Sequence, residues 1–194
     1  MGQPQSESDF HRLETACALM ETDPQRGLLD LEDLAEAGSL LAMVHLGWAL
    51  ENGTGANVDS KAAEVWLRRA YERGSDVASY YLGHVYLRRH DHSRAKEVFA
   101  GGVSMNYPPS MYCLGEMYLH GTGISKQPDK ALAIFEKASS MGHVFAKRKL
   151  AGLLMSGRFG IFNIARGVAL WAGALKDGVL VVIREGADSD RLRA

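Results

Sequence analysis

Cysteine is scarce: Cys17 and Cys113 are the two thiols in 194 residues. Two cannot build a disulfide framework, so a reducing compartment fits and a cytoplasmic location is expected. An excess of one charge is also missing. Lys+Arg number 22 against Asp+Glu 23, a formal net charge of −1. Nothing electrostatic therefore points to nucleic acid or to an anionic membrane surface. Long uncharged apolar runs are absent as well. The most apolar stretch, Ile161 to Ile183, carries Asn163, Arg166, Lys176 and Asp177. Each of those charges costs about 2.5–3.5 kcal/mol near the centre of a membrane helix, which argues against a span. Met1 to Asp9 is polar and has no apolar h-region, so no secretory signal is expected. Gly2 and Ser6 fit the loose myristoylation pattern only formally, because Pro4 lies inside it and no basic cluster adjoins. What remains is 46% hydrophobic and 23% charged, the make-up of a folded water-soluble chain. At this length one domain is the default, and it should bury roughly 70% of the surface of its unfolded form.

Self-similarity is the strongest positive signal. Leu46-Gly47, Leu82-Gly83, Leu114-Gly115 and Leu150-Ala151 recur at spacings of 36, 32 and 36 residues. Four residues before each anchor leucine stand the small residues Ala42, Ala78, Ser110 and Ala146; four after stand Leu50, Tyr86, Tyr118 and Leu154. Further on, offsets +17, +21, +24 and +28 hold Ala63, Leu67, Ala70 and Gly74 in the first unit. The third has Ala131, Phe135, Ala138 and Gly142, and the fourth Gly167, Trp171, Ala174 and Gly178. The second gives Ala95, Phe99, Gly102 and Asn106 once four loop residues are removed, and that deletion also explains its shorter spacing.

Offsets −4, 0, +4 make one helical stripe and +17, +21, +24, +28 another, so each unit is two amphipathic helices and a loop. Small residues allow the backbones to approach, and large ones fill the space between them. Gly38-Ser39 and Gly74-Ser75 read as a helix-ending glycine followed by an N-cap serine. Pro128 suits a helical first turn, and Asp59 or Ser60 can cap the equivalent helix of the first unit.

Unit two keeps Leu82-Gly83-x-x-Tyr86 and Ala95-x-x-x-Phe99, pieces of the tetratricopeptide pattern. Units one and three insert Gly53-Thr54-Gly55 and Gly121-Thr122-Gly123, then run into Lys61–Trp66 and Lys130–Phe135. This combination resembles the Sel-one-like repeat family, the longer-looped relatives of tetratricopeptide repeats, over about Ser39 to Gly178. The resemblance implies an all-α fold: a right-handed α/α superhelical solenoid of stacked antiparallel helix pairs. The expected layout is one solenoid domain. It has an N-terminal capping pair over 1–38, repeats over 39–75, 76–107, 108–143 and 144–178, and a C-terminal cap and tail over 179–194. Within that last segment, Val179 to Ile183 is expected to pack on the final helix pair and Gly186 to Ala194 to fray.

In such a superhelix the first helix of each pair lines the concave side, and the resemblance implies that offsets −2, +2, +5 and +6 face the groove. Those offsets hold Val44, Trp48, Glu51 and Asn52, then Tyr80, His84, Leu87 and Arg88. Next come Tyr112, Glu116, Leu119 and His120, and last Arg148, Gly152, Met155 and Ser156. The expected partner-binding residues are Val44, Trp48, Asn52, Tyr80, His84, Arg88, Tyr112, Glu116, His120 and Arg148. Aromatics and arginines of this kind make binding hot spots, and Arg88 or Arg148 could clamp a carboxylate at two points. The competing reading makes Trp48 and Tyr80 inter-repeat core.

Catalytic and metal chemistry is weighed and set aside. His84, His90, Asp91 and His92 have metal-ligand chemistry, but Arg88, Arg89 and Arg94 crowd them with positive charge, so a solvated basic turn is expected and no metal site. The two Gly-Thr-Gly loops follow helices and lack a succeeding G-K-[ST], so they are turns rather than phosphate cradles. Cys113 with His84 or His120 could pair a nucleophile with a base. Its slot is held by His45, Tyr81 and Lys149 in the other units, the pattern of a variable packing position. Lys147, Arg148 and Lys149 read as a solvated basic face near a helix start, with an acidic partner as the sharper alternative. No catalytic residue and no cofactor is expected. The functional expectation is a non-enzymatic adaptor or scaffold that holds a peptide or helix of another protein. The alternatives are a β-lactam-binding hydrolase-like relative, a scaffold for polysaccharide assembly or secretion as related bacterial proteins imply, and a self-associating homo-oligomer.

Overall fold

A computed structural model describes residues 7–157 and 159–176. The expected cap and tail over 179–194 lie outside them. The described residues form helices and no strands: α1 (Glu7–Thr22), α2 (Pro24–Glu36), α3 (Leu40–Asn52), α4 (Ser60–Glu72), α5 (Asp76–Arg88), α6 (His92–Ser104), α7 (Pro108–His120), α8 (Pro128–Ser140) and α9 (Val144–Met155). A last helix, α10, covers 163–176. The chain is an all-α stack of helix pairs, divided into two compact units, Met1–Asn106 and Tyr107–Ala194.

In the first unit α1 packs on α2, α3 on α4 and α5 on α6, while α2–α3 and α4–α5 contacts join successive pairs. In the second, α7 packs on α8 and α8 on α9. The repeat offsets explain each pair. Leu46, Leu82, Leu114 and Leu150 are all buried, as are the small residues four before them. A Cβ placed on Gly47, Gly83 or Gly115 would come within 2.5, 2.3 or 2.6 Å of Leu67, Phe99 or Phe135. The side chain at +21 of the second helix thus occupies the space that the glycine at +1 leaves open. Burying such a side chain contributes about 1.5–3 kcal/mol. Unit four departs from the pattern. Ala151 carries the methyl group that the other units omit, and Trp171 at +21 stays 45% exposed. There the close approach moves to Gly167, whose Cβ would meet Ala151 O at 2.9 Å.

The loops keep one closure despite their different lengths. The N–H of Asp59, Asp91 and Gln127 donates to the carbonyl of Leu50, Tyr86 and Tyr118, the +4 residue, at 2.9, 2.9 and 2.8 Å. Gly53 and Gly121 make the longer turns possible at φ of 72° and 76°. The shorter loop turns on His90 at φ 60°. Pairs are joined through left-handed residues, Gly38, Gly74, Asn106 and Gly142, asparagine being the side chain that tolerates this conformation best. Ser39 and Ser75 cap the following helices, accepting from the N–H of Ala42 and Ala78 at 3.3 Å.

Candidate partner-binding face

Within the first unit α3 touches α5 directly, and no comparable contact joins α4 to α6. The pairs therefore close on the side of their first helices, and the inner face there is built from α3 and α5. Helical spacing puts Trp48, Glu51 and Asn52 on one stripe of α3 and Tyr80, His84 and Arg88 on one stripe of α5. Trp48 is 42% exposed. Asn52 is exposed, and its Nδ2 donates to the Trp48 carbonyl at 2.7 Å, which ties it to the last turn of α3. Tyr80 and His84 are half-buried: their rings meet at 4.5 Å, and His84 meets Phe99 at 5.8 Å. Burial, and then the charge of Arg88, hold the His84 imidazole below its ordinary pKa, so it is neutral at pH 7.

Two groove positions are corrected. Val44 is only 3% exposed, on a helix packed by α2, α4 and, from the next pair, α5, and it belongs to the core. Glu51 is 7% exposed and its Oε1 forms an ion pair with Arg88 Nε at 2.9 Å.

In the second unit Tyr112 sits among Phe135, His143 and Phe145 at centroid distances of 5.8, 5.6 and 6.5 Å. Exposed Arg148 lies over the Phe145 ring at 5.6 Å. Half-buried Glu116 pairs with Lys149 at 3.1 Å and with exposed His120 at 3.6 Å. This unit thus offers its own face of aromatic, cationic and anionic groups.

The basic turn is not simply solvated. Glu64 on α4 bonds Arg68 and Arg89, approaches Arg94 at 4.0 Å and accepts from the Tyr86 hydroxyl at 3.0 Å. Burial alone would raise the Glu64 pKa. The hydrogen bonds from Arg89 and Tyr86 and the charges of Arg68 and Arg89 outweigh it and hold the carboxyl below its usual range. Sequence reading missed this hub because Arg89 lies 25 residues further along, in the next helix pair. His90 and His92 stand 6.0 Å apart, and no group of three metal-ligating side chains occurs among the described residues. Burial, with Glu116 adding, pushes the Cys113 thiol up to about 12, which leaves almost no thiolate to act as a nucleophile. No helix of the described residues is long and apolar enough to cross a membrane.

The family model for the Sel1 repeat matches residues 40–75 and 108–143, the two units with long glycine loops. Protein sel-1 homolog 2 of Homo sapiens is 25% identical over 136 residues, covering 69% of this chain. The chain spans 19% of that relative's length. Among solved structures, a Sel1 repeat protein from Oxalobacter formigenes aligns with a TM-score of 0.77 at 17% identity, covering 88% of this chain and 73% of its own. The immunity protein Pa5087 of Pseudomonas aeruginosa gives 0.60 at 21%, covering 79% and 61%.

Proposed function

This chain carries Sel1 repeats, and from that premise we propose that it is a non-catalytic adaptor that holds a peptide or helix of another protein against its first helices. One observation carries the reading. Trp48, a large rigid ring, stands 42% exposed on α3 of the first unit, and half-exposed Arg88 stands on the adjoining α5. An aromatic held outward on a packed helix supplies contact area at little entropic cost, which is the make-up of a binding hot spot. Tyr80, His84 and Asn52 extend that face on the first unit, and Tyr112, Glu116, His120 and Arg148 supply the face of the second. Scarcity of cysteine supports a reducing compartment such as the cytoplasm.

The test is selection of binders from a random peptide library by the full chain, followed by titration of the selected peptides. Combined Trp48→Ala, Tyr80→Ala and Arg88→Ala should abolish their binding while the helical CD spectrum is retained. Unchanged binding by that variant, or a library that yields no binder, would refute the reading. Light scattering at two concentrations separates a self-associating chain from one that binds a foreign peptide.

A further inference from the structure

The slot five residues after each anchor leucine is apolar in three units, Leu87, Leu119 and Met155. In the first unit it is Glu51, which is more than nine-tenths buried. Burying a carboxylate where a leucine would fit is unfavourable unless the charge is well paired. Here the pairing is incomplete. Arg88 Nε reaches Oε1 at 2.9 Å, while Oε2 is buried with no hydrogen-bond partner among the described residues. Packing therefore does not account for glutamate at this position.

Its effect on Arg88 does. The Arg88 side chain is 52% exposed, and Glu51 is its one ion-pair partner among the described residues. A guanidinium has five N–H donors in a planar fork. Glu51 meets the guanidinium at Nε, and with the side chain half exposed the Nη donors can face a partner. One turn before Arg88 on α5 the His84 imidazole is neutral, so the α5 stripe holds no second cation, and the adjoining α3 carries the exposed Trp48 ring. An end-on pair of Nη donors matches the two oxygens of a carboxylate.

We propose that Arg88, held by Glu51 as a positioning residue, is the anchor for a carboxylate on an acidic partner peptide whose apolar side chain covers Trp48. The source of the carboxylate is an Asp or Glu side chain or the free C-terminus of the peptide. This rests on the adaptor reading above and names its partner's chemistry.

The probes are the library-selected peptides, made with fluorescein in three forms: as selected, with each Asp or Glu replaced by its amide, and with the C-terminus amidated. Fluorescence anisotropy should show that one of the two replacements weakens binding to the full chain at least about tenfold. Which replacement does so identifies the source. Arg88→Ala should erase that preference for acid over amide, and Arg88→Lys should not restore it. Glu51→Leu restores the apolar slot, so its melting temperature should equal or exceed that of the parent chain while the acid preference falls. In the double variant of Glu51 and Arg88 the two losses should not add, because both act through one guanidinium. Equal binding of acid and amide forms, or an acid preference that survives Arg88→Ala, would overturn the proposal. Peptides sensitive to Trp48→Ala but indifferent to Arg88→Ala would defeat this inference and leave the adaptor reading standing. Peptides indifferent to both would defeat the two together.

Discussion

Two glycines on first helices differ in what surrounds them, and that difference sets opposite expectations for the same substitution. At Gly83 an added Cβ would lie 2.3 Å from the Phe99 ring, which is itself fully buried and has nowhere to retreat. Gly83→Ala should cost about 1–3 kcal/mol by urea denaturation. At Gly152 nothing lies within 4 Å, and the residue is exposed in the last turn of α9. Gly152→Ala should stabilise the protein by about 0.5–1 kcal/mol, since only the backbone entropy of glycine is removed. Equal effects at the two sites would mean that the +21 side chain does not depend on the glycine facing it. Cys113 gives a third residue-level expectation. With its thiol pushed to about 12, it should resist iodoacetamide in the folded protein at pH 8 and react once urea unfolds the chain.

Among elements, the joint between α4 and the α5–α6 loop depends on charge. The folded-state pKa of Glu64 is depressed, so its contribution is fully present above the unfolded-chain value near 4.5 and is lost as pH falls below it. Melting temperature should drop on acidification through that range, and Glu64→Gln should flatten the drop while lowering stability at pH 7. A variant whose acid limb matched that of the parent would remove Glu64 from this role. The loop itself was legible beforehand, because removing four residues brings unit two into register and the closing bond from Asp91 to Tyr86 is preserved. Its charge partners were not legible. Arg89 and Arg94 look like a basic turn in a linear reading, and the acid that holds them belongs to the preceding pair.

For the whole molecule, stability in a stack comes from each pair and from its contact with the next. Removing residues 1–38 takes away α1 and α2, including the α2–α3 packing and the buried Leu31 and Leu34. The truncated chain should melt at a lower temperature and aggregate more readily, as measured by calorimetry and size-exclusion chromatography. An unchanged melting point would show that the first pair is an appendage rather than a cap.

Sequence alone determined the helix pairs, their repeat register, the glycine turns and the serine caps. Small and large residues at fixed offsets interdigitate locally in one way, and left-handed turns select glycine or asparagine. Tertiary structure alone decided which positions of the inner face reach solvent. Val44 and Glu51 share a stripe with Trp48, yet they are buried and Trp48 is not. That outcome depends on how closely the next pair approaches, which no spacing within one repeat encodes. The same approach brings Arg88 onto Glu51 across 37 residues of chain and turns a residue at odds with its repeat slot into a support for a surface donor.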